Sequence, residues 1–312
     1  MISIITPTYN SANFIQETLN SISEQTFRDF EVIIIDNCSD DGTINIVKEH
    51  ELYLSNIIKV HYNEIKNVSI SRNIGIENAS GEFLLFLDSD DLLKPGALQI
   101  LTNNIKNHDL VIGAWEDFSN NTGAVISTSL YEINEYDTSA EIYLRYKPVI
   151  SAALIKKDAA LKWDIQMKVW EVTAFFFDSI LNHSKTIFIN DVVTSIRQHD
   201  STSRLSIKHK HFDAINTASF LINCRRKVTS ASSPNLSIEA LIDQEIIDCC
   251  YTAIRNGGDP SIVKTNIACI NHDLIGQYNH YKFGSLYYFV NLFNGYKGLY
   301  LFYILNRFLG RI

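Results

Sequence analysis

No glycine stands between residues 6 and 13, where the first strand signal ends. A sugar-nucleotide pyrophosphorylase or a dinucleotide-binding dehydrogenase would place its glycine-rich phosphate loop there, and no Walker loop occurs elsewhere, so these classes are disfavoured. The five cysteines, Cys38, Cys224, Cys249, Cys250 and Cys269, form no C-x-x-C pair and leave one over. That argues against both a zinc site and a disulfide framework and fits a reducing compartment. No apolar run reaches the ~20 residues of a spanning helix, and Met1 to Thr6 pass into an apolar strand without a basic leader or cleavage site. A cytoplasmic location is the expectation. Basic charge is also scarce: 27 Lys and Arg against 35 Asp and Glu leave a formal net charge of -8. Nucleic acid is thereby excluded as the main partner, and an acidic nucleotide needs local neutralisation.

What is present is a globular chain of 312 residues, 46% hydrophobic, long enough for a large domain with an appendage. The first ~115 residues alternate strand and helix signals at βαβ spacing. Strands are expected at 2–6, 31–36, 57–62, in the run ending at Asp88, and at 110–115; helices at 14–24, 43–50, 69–78 and 95–106. This predicts an α/β fold with a mostly parallel sheet between helix layers. From Asp117 the pattern loosens into a turn-rich insertion at 119–123, helices at 139–146 and 172–182, and a strand at 186–190. The segment Arg197 to Arg204 is too polar for a core. Helices at 209–228 and 238–256 follow. The boundaries expected are 1–205, divided at 115 into nucleotide and acceptor parts, and a helical extension over 206–312.

That extension has an unusual end. After residue 273 there is no Asp or Glu, while Lys282, Lys297, Arg307 and Arg311 punctuate a long aromatic series. Residues 274–312 therefore suit peripheral attachment to a membrane interface on the inner face of the cell membrane. Packing on the same domain or on a second copy of the chain suits the same pattern.

The chemistry concentrates where Phe83 to Leu87 run into Asp88, Ser89, Asp90 and Asp91. Ligands in open α/β sheets lie beyond the carboxyl ends of such strands, and carboxylates two apart can share a crevice with Mg²⁺ or Mn²⁺. An Asp-rich turn capping the next helix is the competing reading. The first strand ends in Thr6-Pro7-Thr8-Tyr9-Asn10, which can offer backbone groups and a ring to a base; the second ends at Asp36, whose carboxylate can accept a base N–H. Arg72, near the start of a helix, can reach a phosphate or form a salt bridge.

Taken together, P-T-Y-N, D-x-S-x-D-G-T, S-R-N-x-G and L-D-S-D-D, in that order, resemble the inverting nucleotide-sugar glycosyltransferases of family 2, with the GT-A (Rossmann-like) fold. The resemblance is strong over residues 1–115 and looser to about 204. It implies that Thr6, Pro7, Tyr9 and Asp36 hold the nucleobase, that Arg72, Asp88 and Ser89 serve the rest of the nucleotide, and that Asp90 ligates Mn²⁺ or Mg²⁺ on the diphosphate. Asp91 is then expected to face the acceptor. Arg197-Gln198-His199 begins a segment similar to the family's R-x-H-x-x-S-x-S, making His199 a metal or diphosphate ligand. The family's Glu-Asp pair corresponds to Glu171-Val172, so Glu171 is the expected general base, with Trp170 as the acceptor platform; a helix-start Glu serving the dipole is the alternative. The implied reaction moves a sugar from a UDP-sugar to a hydroxyl of a glycan or lipid-linked saccharide in surface polysaccharide synthesis. The missing Asp leaves room for a non-catalytic nucleotide-sugar-binding subunit.

Overall fold

The computed structural model describes residues 1–51, 58–167, 171–182, 185–199, 213–229, 236–255, 260–268 and 270. Contacts divide the chain into two compact units, 1–200 and 201–312, against the 205/206 boundary expected from sequence. The membrane-interface reading of 274–312 lies outside the described residues, as does the Trp170 platform. Among the described residues no helix is long and apolar enough to cross a membrane.

The first unit runs β1 (Ile2–Thr8), α1 (Ile15–Ser23), β2 (Phe30–Asp36), α2 (Thr43–Glu51), β3 (Ile58–Tyr62), α3 (Val68–Asn78), β4 (Phe83–Phe86), β5 (Leu92–Leu93), α4 (Ala97–Ile105), β6 (Leu110–Ser119), β7 (Val125–Ser129), α5 (Ser139–Tyr146), β8 (Ala153–Lys156), α6 (Glu171–Asn182) and β9 (Thr186–Gln198). Strands β1 and β2 are buried along their whole length, which is why they read as unbroken apolar runs. Each fully buried Ile or Val there contributes roughly 1.5–3 kcal/mol. Helix α1 buries Ile15, Thr18, Leu19 and Ile22, one stripe at helical spacing. Helix α3 comes so close to the sheet that a Cβ on Gly75 would collide with Ile5.

The sheet order is β3-β2-β1-β4-β8-β6-β9-β5, with β7 on β6. Pairing is parallel among β1 to β4 and between β6 and β9, and antiparallel for β5, β7 and β8. Because β8 is antiparallel to both β4 and β6, strands β1, β2, β4, β6 and β9 all end at one edge. The expected α/β sheet is present and its second half is mixed. Two expectations change. The turn-rich insertion at 119–123 leads into a hairpin strand at 125–129 for which no strand was expected, and β9 continues to Gln198 instead of stopping at 190. The segment from Arg197 was read as too polar for a core, yet Arg197, near the end of β9, is only 3% exposed because each of its guanidinium nitrogens finds a partner.

The second unit contains α7 (Asp213–Thr229), α8 (Leu236–Arg255) and α9 (Pro260–Ile267). Arg225 on α7 pairs with Asp243 at 2.6 Å and Glu239 at 3.6 Å on α8, and both acids are buried.

Candidate functional site

The common edge begins at Asp36. Thr8 is its register partner, and Asn37 N–H donates to Thr8 O at 2.8 Å, so the two strand ends finish side by side. Asp36 is 3% exposed; its Oδ2 accepts from Ser39 N at 3.1 Å, while its Oδ1 is buried without a hydrogen-bond partner. The hydroxyls of Thr6 and Thr8 are buried and unpartnered too. Such groups cost about 1–3 kcal/mol each when left unsatisfied, so their clustering marks this strand edge as a candidate ligand site. A polar bracket fixes the turn beneath them: Ser71 Oγ donates to Asn37 Oδ1 at 2.7 Å and Asn63 Nδ2 to the same oxygen at 2.9 Å. Tyr9 stands at the rim, 47% exposed. Lys66 lies over its ring at 4.3 Å and donates to its hydroxyl at 2.7 Å, a contact that raises the lysine's pKa.

The second cluster centres on Arg72, which α3 turns inward together with Ser69, Ser71 and Gly75. Its Nη2 lies 3.1 Å from Asp88 Oδ1 and its Nη1 3.4 Å from Glu171 Oε1 at the start of α6. The guanidinium rests on Trp163 at 4.4 Å, and Trp163 stacks on Phe175 at 4.1 Å. Sequence expectation named Arg72, Asp88 and Glu171 separately; the fold joins them through one buried cation. Val172 occupies the position where the family's Asp was expected, and its carbonyl accepts from Tyr143 Oη at 3.4 Å.

The third cluster is the acidic loop. His199, just beyond β9, places Nε2 3.2 Å from Asp90 Oδ2, and its ring stacks on Phe14 at 5.0 Å. Arg197 Nε donates to the Asp90 carbonyl at 2.9 Å and its Nη2 to Glu17 at 2.9 Å, which pins the loop to β9 and α1. Asp91 departs from expectation. It is 5% exposed, with one oxygen accepting from Ser151 Oγ at 2.7 Å and the other from Arg197 N at 3.4 Å, so it faces the interior rather than an acceptor. Burial, with the charges of Asp90 and Asp88, pushes its pKa well above the usual carboxylate range. Ser89 also turns inward, sharing a 2.7 Å hydrogen bond with Ser11.

Among the described residues no group of three or more His, Cys, Asp or Glu side chains is assembled as a metal cage. Asp90 with His199 is a two-ligand set, whose hard oxygen and imidazole fit a divalent cation that takes its remaining ligands from a phosphate and water. A depression of about 310 Å³ against α1 and β5, lined by Glu17, Ser21, Glu24, Leu92, Lys94 and Ser195, includes none of Asp36, Arg72, Asp88, Asp90 or Glu171. Sequence reasoning missed Trp163 and Lys66, since a tryptophan in an irregular stretch and a lysine in a loop carry no periodic or motif signal.

Residues 3–159 match the family model described as Glycosyl transferase family 2. The chain is 37% identical over 99 residues to the putative teichuronic acid biosynthesis glycosyltransferase TuaG of Bacillus subtilis (strain 168), covering 32% of this chain and 39% of that protein. It is 39% identical over 110 residues to the poly(ribitol-phosphate) beta-N-acetylglucosaminyltransferase TarS of Staphylococcus aureus (strain Mu50 / ATCC 700699), covering 34% of this chain and 19% of TarS. The matched stretch is thus less than two fifths of either relative. In three dimensions the chain superposes on S. aureus TarS 1-349 in complex with UDP-GlcNAc with a TM-score of 0.74 at 17% identity, covering 96% of this chain and 89% of that one. A looser neighbour, at a TM-score of 0.55 and 17% identity, is the mannosyltransferase PcManGT of Pyrobaculum calidifontis in complex with GDP-Man and Mn²⁺, covering 86% of this chain and 73% of that one. At these identities the superpositions show the GT-A fold.

Proposed function

The chain belongs to glycosyl transferase family 2, and on that footing we propose that it is an inverting, cation-dependent hexosyltransferase acting on a UDP-sugar and a hydroxyl of a glycan or lipid-linked acceptor in surface polysaccharide synthesis. One observation carries the reading. At a single sheet edge, an unpartnered buried carboxylate oxygen on Asp36, the Asp88–Arg72–Glu171 chain of charges, and the Asp90–His199 pair converge. These are, in order, an acceptor for a base imide N–H, a cation for phosphate with a carboxylate beside it, and a ligand pair for a divalent metal. The teichuronic acid and poly(ribitol-phosphate) chemistry in the names of the relatives supports a cell-surface polymer as product.

In the mechanism, Asp36, Thr6 and Thr8 hold the base edge while Tyr9 covers it. Arg72 moves part of its charge from Glu171 to the entering diphosphate. Glu171 then accepts the proton of the acceptor hydroxyl as that oxygen bonds to the anomeric carbon and the carbon–oxygen bond to UDP breaks; one displacement inverts the anomer. Asp90 and His199 would hold a divalent cation, which would supply positive charge to offset the charge growing on the leaving diphosphate. The basic, aromatic residues 274–312 are the proposed contact with the inner membrane face or with a second copy.

A second reading is favoured by Val172 and by the bond that engages Glu171 with Arg72: a subunit that binds nucleotide sugar without turning it over. Thermal shifts with UDP, UDP-GlcNAc and other UDP-sugars, each with and without Mn²⁺, are expected to rise with donor plus metal. Slow UDP-sugar hydrolysis lost in Asp90→Ala and Glu171→Gln establishes the enzyme; binding without any turnover establishes the subunit. No shift with any nucleotide defeats both. Deleting 274–312 without change in membrane partitioning defeats the attachment.

A further inference from the structure

We propose that Trp163 is a positioning residue for the transfer: its indole, clasped between α3 and α6, sets where the nucleotide arginine and the general base stand relative to each other. The inference rests on the roles given above to Arg72 and Glu171.

Three groups stack in layers. Arg72 Cζ lies 4.4 Å from the Trp163 ring centroid, and Phe175 lies 4.1 Å from it with the rings 3° from parallel. Two groups this close to one centroid cannot share a face, so the indole is sandwiched. Each layer belongs to a different segment. Arg72 is on α3, and the next residue, Asn73, grips the Trp163 main chain from both sides: Trp163 N–H donates to Asn73 Oδ1 at 2.8 Å and Asn73 Nδ2 donates to Trp163 O at 2.9 Å. Phe175 is on α6, four residues after Glu171, and so lies on the same helix face as the base. The indole is therefore the spacer between α3, which brings the cation, and the first turn of α6, which brings the carboxylate.

The spacer is buried and enclosed by rings. Trp163 is 2% exposed and Arg72 3%, and Phe86 closes the indole edge-on at 5.2 Å. With its Cζ over the indole, Arg72 reaches Asp88 with Nη2 and Glu171 with Nη1 from one position. Removal of the π face leaves Arg72 free to tilt, and α6 free to settle toward α3 by the thickness of a ring. Both movements displace Glu171 from the site where an acceptor hydroxyl would meet it.

The test uses the full chain with Trp163→Phe, Trp163→Leu and, as a packing control on the other contacts of α6, Phe176→Leu, whose ring packs on Phe175 and Tyr143. UDP affinity is read by calorimetry and turnover with UDP-GlcNAc. Trp163→Leu is expected to weaken UDP about 5- to 10-fold and to lower kcat by about 10- to 100-fold, in line with what an ångström of misplacement costs. Trp163→Phe, keeping a flat face, should recover both to within about threefold by the same reasoning. Phe176→Leu should lower the melting temperature and leave both readouts near wild type. Equal behaviour of Trp163→Leu and Trp163→Phe, or of Trp163→Leu and Phe176→Leu at matched loss of melting temperature, overturns the proposal. If Trp163→Leu fails to fold, Asn73→Ala, which frees the indole's main chain, must give the same pattern more weakly, and unchanged UDP affinity and turnover there overturn the proposal as well. Should wild type bind UDP but turn over no donor, the transferase reading fails while the UDP arm still decides the role of Trp163.

Discussion

Strands β1 and β2 carry a buried carboxylate at each end of their pairing, and the two ends are finished in opposite ways. At the start, Ser3 and Glu31 are in register; Glu31 takes hydrogen bonds from Ser3 Oγ at 2.6 Å, Ser80 N at 2.5 Å and Lys59 Nζ at 2.5 Å. Burial pushes its pKa up, but the bonds from Lys59, Ser3 and Ser80 outweigh it and hold the carboxyl below its ordinary value. At the finish, Thr8 and Asp36 are in register, and one carboxylate oxygen and two threonine hydroxyls have no partner. The same strands therefore close one end with a full set of hydrogen bonds and leave polar groups unpartnered at the other, where the nucleobase is proposed to bind. A buried acid is a site when its hydrogen bonds are incomplete, and a staple when they are full.

Four measurements can break or sharpen that contrast. The largest effect belongs to the sheet edge on which that open end lies, where α6 brings Glu171 to Arg72: Glu171→Gln should lower kcat by roughly 10²- to 10⁴-fold, the range for loss of a general base. Next, Asp36→Asn should weaken UDP roughly 10- to 100-fold, the equivalent of about 1.5–3 kcal/mol for a hydrogen bond to a charged group, without loss of stability. Calorimetry decides it; undiminished UDP binding would remove Asp36 from the site. At the closed end the pattern should invert, so that Glu31→Gln costs about 1–3 kcal/mol in urea unfolding and leaves UDP affinity untouched. The smallest effect is in pH. Since folding lowers the Glu31 pKa, its contribution is complete above the unfolded carboxyl value of about 4.3 and is lost as pH falls through the folded value. Melting curves of Glu31→Gln should accordingly show a shallower decline below that pH than wild type, and parallel curves would mean that Glu31 is not a staple.

Legibility followed burial and local pattern. β1, β2 and the strand before Asp88 were readable because parallel strands covered on both faces leave continuous apolar runs, and Asp36, Asp88 and Asp90 because acids directly after such runs are out of place in a core. β7 escaped notice since Val125 to Ser129 are mostly exposed on both faces and show no alternation, and β5 because two residues make no pattern. The inward turn of Asp91 was hidden for another reason: its neighbours Ser151 and Arg197 lie 60 and 106 residues away. Arg197 misled in the same way, since a lone arginine reads as solvent-exposed until Glu17, Asn120 and the Asp90 carbonyl are brought around it.

By itself the sequence determined the family and the inventory of chemistry: which strands are buried, which acids follow them, and that the expected Asp after Glu171 is a valine. Those are properties of short windows, set by hydrophobic burial and residue type. Only the tertiary structure decided which charges share a partner. Arg72, Asp88, Trp163 and Glu171 meet because α3, the acidic loop and α6 converge on one sheet edge, and electrostatic and stacking contacts depend on distances in space that no local pattern encodes.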